Sequence, residues 1–187
     1  MAATRAAIQQ KVDALPTPTA DKIAEFDRTA PKSDYARTTN DGKAVNKRTQ
    51  EVLKRAEFIM EHKFGHKNFD FTITQGSYST GVAASAGTHD GGGALDMHTR
   101  TLPKKTVDDM VKALRMAGFA AWSRGRGHDS FAPHIHAIAI GDRELAPLAR
   151  SQVQDYFNGR DGLSGNRADP DRGLGRPIPH WARRFDR

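Results

Sequence analysis

The chain of 187 residues carries a formal net charge of +7, a sequence pI near 9.9, a mean hydropathy of −0.68 and no cysteine. That length suits one well-buried core with appendages rather than two full domains, and the lack of thiols excludes disulfides and thiolate metal sites, so any metal must rest on His, Asp or Glu. No apolar run approaches the roughly 18 residues needed to span a bilayer, and the basic surplus predicts attraction to polyanions: nucleic acid, anionic lipid or phosphate-rich wall polymer.

In chain order, residues 1–45 read as an N-terminal helical arm. It holds two short helical candidates over 6–15 and 19–27, broken by Pro16, Pro18 and Pro31, and then a polar stretch through Asn40-Asp41-Gly42. The first residues lack the apolar segment of a secretory signal, so synthesis in the cytoplasm is expected. A stronger helix is predicted over 45–64, where Val52, Ala56, Ile59 and Lys63, flanked by Leu53, Met60 and Phe64, recur at helical spacing before Gly65. Residues 69–74 alternate apolar with polar as a half-buried strand does, and Gln75-Gly76-Ser77-Tyr78 leaves it as a turn.

The Gly- and Ser-rich stretch 79–93 reads as irregular, followed by a strand over 94–98 in which Asp96 shares a face with Ala94 and His98. Thr106-Val107-Asp108-Asp109 resembles a capping box that opens a helix with Val107, Met110, Val111, Leu114 and Ala117 as its apolar stripe and Gly118 as its stop. A strand is predicted over 119–122, a flexible loop over 124–129 and a strand over 134–140, on which His134 and His136, two apart, project together. A last helix over 145–157 is expected to pack Leu148, Val153 and Tyr156. Residues 159–187, rich in Gly, Pro and Arg, read as a tail or linker, with Ile178 and Trp181 able to pin its end to the domain.

The residues with chemistry are His89 and Asp96, in His89-Asp90-Gly91-Gly92-Gly93-Ala94-Leu95-Asp96, and the pair in His134-Ile135-His136. Imidazole nitrogen and carboxylate oxygen bind zinc at roughly 2.0–2.2 Å, and three protein ligands leave the fourth tetrahedral position open for chemistry. A lone strand histidine is more often a hydrogen-bonded core or surface residue than a ligand. The glycines Gly91–Gly93 fit either a flexible turn or a close backbone approach. His98 reads as a solvent-facing strand residue, with a role supporting Asp96 as the alternative.

These residues resemble zinc peptidases of the D-alanyl-D-alanine carboxypeptidase and LAS type, a family that includes phage endolysin peptidases. Its motif is close to S-x-H-x-x-G-x-A-x-D, followed tens of residues later by a strand that ends in a metal histidine, often as H-x-H. His89, Gly92, Ala94 and Asp96 match the first motif and His134-Ile135-His136 the second, so the resemblance covers about residues 69–140. It departs at Gly87, where the motif has Ser, and at Pro133, where many relatives carry an acidic general base.

By that resemblance His89, Asp96 and His136 would hold Zn²⁺, while His134 would stand beside the reacting carbonyl as proton-transfer residue, with Asp129 as the second choice. Zinc lowers the pKa of water from 15.7 toward about 7 and polarises the amide oxygen. Gln75, Arg124 and Arg126 are the substrate-binding candidates, the arginines because a guanidinium fork matches a peptide carboxylate. The fold expected is α+β: a small antiparallel sheet carrying the zinc site, packed against helices over 46–158, with an irregular N-terminal arm and C-terminal tail.

The function expected is a zinc metallopeptidase of bacterial peptidoglycan, cleaving short stem or crosslink peptides that contain D-amino acids. The D-Ala-D-Ala carboxypeptidase or endopeptidase type and the L-Ala-D-Glu peptidase type both stay open. A monomeric phage or prophage endolysin would reach the wall after release, helped by its charge toward anionic wall polymers, with no membrane insertion. The competing readings are a basic metal-dependent nuclease, disfavoured because the His-to-Asp motif has no reason to appear there, and a non-catalytic wall-binding protein with a structural metal.

Overall fold

Asn46 ends a strand and begins a helix. Its side-chain oxygen accepts the Thr49 N–H at 2.8 Å, an N-cap that satisfies a helix-end donor and contributes about 1 kcal/mol. The computed structural model describes residues 19–186 apart from Arg126 and His128, so the helix expected over 6–15 lies outside the described residues. Within them, α1 is Thr19–Arg28, β1 is Arg37–Asn40 and β2 is Lys43–Asn46. Then come α2, Lys47–His62, β3, Ile73–Gln75, and β4, Ala94–His98. The chain continues through α3, Lys104–Ala117, β5, Phe119–Arg124, β6, His134–Ala139, and α4, Pro147–Phe157.

The architecture is α+β with small antiparallel sheets. A two-stranded sheet joins β1 and β2, and a four-stranded antiparallel sheet runs in the order β3-β4-β6-β5. Strand alternation divides the larger sheet into two faces. Leu95, Met97, Phe119, Ala121, Ile135 and Ala137 are buried in one apolar cluster with α2 and α3. On the opposite face Ala94, Ala120, Trp122 and Ile138 are buried in a second cluster with α4. Only the Ala94–Ala120–Ile138 end of that second face is apolar, and the other end carries the polar residues of the site. No helix among the described residues is long and apolar enough to cross a membrane.

Several local expectations change. Asn40-Asp41-Gly42 is not part of an arm but the turn of the β1–β2 hairpin, with Asp41 at φ 50 and Gly42 at φ 70, the left-handed pair that a tight hairpin turn requires. The strand expected over 69–74 is regular only at Ile73–Gln75, where a register shift against β4 breaks the alternation. Gln75 therefore ends a strand instead of starting a turn. The capping box at Thr106 does not form, because α3 begins two residues earlier behind Pro103. Leu148 does not pack on α4's buried side; it is 41% exposed.

The largest difference lies after α4, where residues 159–186 are folded onto the domain instead of trailing from it. Arg115, fully buried on α3, pairs with the equally buried Asp169 at 2.8 Å and donates to the Ala121, Asp171 and Gly175 carbonyls. Asp171 accepts the Ser123 N–H and Oγ–H at 2.6 and 2.8 Å, which caps the outer edge of β5. The Trp181 indole donates to the Phe26 carbonyl and lies so close to Gly118 that a Cβ there would meet its ring at 2.4 Å. The composition that argued against independent folding remains; hydrogen bonds from the rest of the domain supply what the segment lacks in apolar surface.

Asp169→Ala removes the partner of a fully buried guanidinium and is expected to cost about 3–5 kcal/mol, the usual penalty for an uncompensated buried charge, read as a lowered denaturant midpoint. Glu57 on α2 gives a pH signature. Burial, with the hydrogen bond and charge of Asp70, pushes its carboxyl up to about 7 from 4.5. A folded-state value above the unfolded one makes the contribution complete below about pH 4.5 and lost as pH rises through 7. Glu57→Gln should therefore raise the Tm at pH 8 and leave it nearly unchanged at pH 4.5 in thermal melts.

Candidate metal centre

The register of the sheet builds the site. Asp96 on β4 is the cross-strand partner of His136 on β6, which is in turn the partner of Trp122 on β5. Two residues along, His98, His134 and Arg124 form the parallel row. Because residues two apart share a face, these six side chains leave the sheet on the same side, the face on which α4 packs. His89 arrives from the loop before β4, and its ring lies 5.2 Å from that of His136.

His89, Asp96 and His136 each offer one ligand atom within 4.8 Å of the others, and this is the metal-competent group found among the described residues. Around an ion at 2.0–2.1 Å, tetrahedral ligand atoms sit about 3.3 Å apart. His89 Nε2 lies 3.4 Å and His136 Nδ1 2.8 Å from Asp96 Oδ1. These spacings match a small divalent ion with slight relaxation.

Hydrogen bonds on the far side of each ring set which nitrogen faces the centre. His89 Nδ1–H donates to the Gly76 carbonyl at 3.0 Å, which leaves the Nε2 lone pair toward Asp96. For His136 the determinant is Gln152 on α4. Its Nε2 donates to the Gly162 carbonyl at 2.7 Å, so its Oε1 is the atom that accepts from His136 Nε2–H at 3.1 Å. His136 Nδ1 is then left with a lone pair 2.8 Å from a carboxylate oxygen.

Charge makes that contact informative. Burial pushes the Asp96 carboxyl up, but hydrogen bonds and charge from His136 and His89 outweigh it and hold Asp96 well below the usual carboxylate range. Burial lowers His136, against the pull of Asp96, so its neutral form is favoured. An ionised carboxylate and a neutral ring nitrogen are both acceptors. The 2.8 Å contact is satisfied by a proton on His136 Nδ1 or by a metal ion held between the two groups.

The group opens into a cavity of about 530 Å³ whose walls include Gln75, Arg124, His134, Gln152 and Asp155. His134 is brought to it: Nδ1–H donates to the Ala132 carbonyl at 2.7 Å, and Nε2, with its lone pair, faces Asp96 Oδ1 at 3.8 Å. Gln75 is also present, its Oε1 accepting from Ser85 Oγ. Asp129 does not line the cavity; its Oδ1 accepts the Gly125 and Phe131 N–H groups and braces the loop. Arg126 lies outside the described residues. His98 bonds Thr101 Oγ1 at 3.0 Å, in keeping with a strand histidine outside the metal group.

Gly91 and Gly92 answer to close approach. A Cβ on Gly91 would meet the Glu144 carbonyl at 2.2 Å, and one on Gly92 would meet Asn46 Nδ2 at 2.8 Å and the Tyr78 hydroxyl at 2.9 Å. What approaches is the protein itself. Tyr78 donates to Glu144, and Asn46 donates to Asp142 and Tyr78, a polar network that fixes the loop between His89 and β4. Sequence reading missed Gln152 and Asp155. The i, i+4, i+7 spacing of Leu148, Gln152 and Asp155 places them on one stripe of α4, but which way that stripe faces depends on tertiary packing.

His89→Ala and Asp96→Ala are expected to abolish stoichiometric metal binding, measured by metal analysis after dialysis. Gln152→Ala should weaken affinity about 10–100-fold, the range for losing the partner of a ligand histidine, read by chelator competition. Unchanged affinity would detach Gln152 from the centre.

No family model, no curated protein and no solved structure matches this chain.

Proposed function

We propose that the chain is a zinc-dependent peptidase that cleaves short peptides of bacterial peptidoglycan, a phage or prophage endolysin in biological setting. One observation carries the reading: His89, Asp96 and His136 converge beside an open cavity that the His134 ring also lines, its Nδ1 bonded to the Ala132 carbonyl and its Nε2 toward Asp96. A purely structural metal site needs neither the opening nor the third imidazole. Two neutral imidazoles and one carboxylate, without sulfur, form a donor set that zinc accepts in open catalytic sites. Bound there, zinc would supply Lewis acidity, polarising a carbonyl and acidifying water.

The chain's own residues account for the rest of the hydrolysis. His134 takes a proton from the attacking water at Nε2 as the water oxygen bonds the amide carbon, and returns it to the nitrogen as the C–N bond breaks. The Ala132 carbonyl fixes the tautomer that permits this. Asp96 stays ionised and His136 neutral, the forms in which both bind metal. Gln75, paired with Asp96 across β3 and β4, has its amide oxygen held by Ser85 and one N–H directed to Ser79 Oγ, which leaves its second N–H for a peptide carbonyl. The net charge of +7 favours adsorption to anionic wall polymers.

Purified peptidoglycan incubated with the zinc-loaded chain should release peptide fragments identifiable by mass spectrometry, while DNA supplied in parallel stays intact. His134→Ala should keep zinc stoichiometry and lower the hydrolysis rate by about 10²–10⁴, the scale of a proton-transfer residue. An unchanged rate removes His134 from the mechanism, and cleavage of DNA in place of wall peptide replaces the peptidase reading with a nuclease.

A further inference from the structure

Asp155 stands in the last turn of α4 and lines the cavity beside the metal group. Its carboxylate makes no hydrogen bond or ion pair among the described residues, and both oxygens stay accessible. Three features of the fold oppose its charge. The C-terminal end of a helix carries partial negative charge, which disfavours an anion in the last turn. Burial, first, and the charge of Asp161 push the carboxyl up from its ordinary value, against the pull of Arg160. Asp161 is itself engaged, its Oδ1 accepting the Leu163 N–H at 3.0 Å, and α4 has no basic residue in its last turn to offset either carboxylate. A charge that costs the folded state and pairs with nothing in it is accounted for by a ligand better than by the fold.

We infer, resting on the peptidase reading, that Asp155 receives an ammonium group of the peptide, so that the cavity selects substrates carrying a positive charge beside the reacting bond. The placement on α4 supports this. Leu148, Gln152 and Asp155 share one stripe of the helix, and the middle residue bonds His136 of the metal group. At 1.5 Å per residue, Leu148 stands about 6 Å along the axis to one side of Gln152 and Asp155 about 4.5 Å to the other. The metal group therefore faces the middle of a stripe that is apolar at one end and anionic at the other. Leu148 belongs with Val82 and Phe131 to the exposed apolar rim of the cavity.

The other charged groups on the cavity wall do not compete for that role. Asp96 belongs to the metal group, and the terminal nitrogens of Arg124 are buried from solvent. The chain as a whole carries +7, a charge that repels cations at long range, so a preference for an ammonium ligand has to come from a local carboxylate. An ammonium offers three donors for charge-assisted bonds to that carboxylate. A free α-amino end and a lysine-type side chain present the same group.

Four peptides with amidated C-termini separate those two sources: trialanine amide against its N-acetyl form, and N-acetyl-alanyl-lysyl-alanine amide against its norleucine counterpart. Binding of each is followed by NMR titration of the full chain with a chelator present, so that no amine is held by metal. In at least one pair the ammonium form is expected to bind at least about tenfold more tightly than the neutral form, the scale of one charge-assisted hydrogen bond, and that pair identifies the source. Asp155→Asn should erase the preference and Asp155→Glu retain most of it. Because the charge costs the fold, Asp155→Asn should also hold or raise the Tm. Equal affinities in both pairs, no saturable binding, or a preference that persists in Asp155→Asn overturns the subsite, and a Tm lowered by that substitution does so too, by showing that the fold uses the charge. Separately, the zinc-loaded chain should hydrolyse the preferred peptide faster than its neutral counterpart. No hydrolysis of any of the four, with the binding preference intact, counts against the peptidase reading and leaves the ammonium subsite standing.

Discussion

The contact between Asp96 and His136 is the constraint on which the site depends. It is a cross-strand pair, so its geometry is fixed by backbone hydrogen bonds of β4 and β6 and not by the side chains themselves. Slipping the register by one residue would turn every side chain of a strand to the opposite face, sending Asp96 into the apolar layer against α2 and α3 and removing it from His136. The apolar alternation of both strands prevents this: Leu95 and Met97 on either side of Asp96, and Ile135 and Ala137 on either side of His136, are fully buried on the other face. Hydrophobic burial thereby holds the carboxylate and the imidazole side by side, where an ion could join them.

Holding those acceptors in the right protonation and tautomeric state falls to residues distant in sequence. Gly162 orients Gln152, and Gln152 orients His136. Gly162 is itself fixed because the segment around it is tied to the domain, through the Trp122 indole bonded to the Arg160 carbonyl, the Arg115–Asp169 pair and Asp171 at the edge of β5. Burial pushes the Asp169 carboxyl up despite Arg115, which means that desolvation outweighs the attraction. The pair therefore specifies where the segment lies more than it adds net stability.

The same sheet face serves two purposes by position. Toward Ala94, Ala120 and Ile138 it is apolar and covered by α4. Toward Asp96, His134 and Arg124 it is polar and open to the cavity. One helix spans both: Val153 and Tyr156 bury into the covered half, while Leu148, Gln152 and Asp155 border the open half. Arg124 at the open end is desolvated, and the carboxylates of Asp129, Asp161, Asp96 and Asp171 offset its charge without taking up its terminal donors.

The sequence by itself determined what repeats at short range. The period-two placement of His134 with His136, and of Asp96 with Ala94 and His98, established which side chains share a face, and the helical stripes named the buried residues of α2 and α3 apart from the exposed Lys63 and the partly buried Phe64, which lie beyond the end of α2. The absence of cysteine confined the metal donors to His, Asp and Glu. Tertiary structure decided the rest. The hairpin at Asn40-Asp41-Gly42 was readable in principle but competed with a polar, Pro-broken context. Neither Gln152 facing His136 nor the folding of residues 159–186 onto β5 had a local signal, since both arise from hydrogen bonds between segments far apart in the chain. Asp129 and Arg124 stood as neighbours in one loop, and only packing separated them, giving one carboxylate two backbone amides and leaving the terminal guanidinium nitrogens of the other without a hydrogen-bond partner among the described residues. Periodicity reports which way a residue points relative to its own element; what waits on the other side is set by how elements pack.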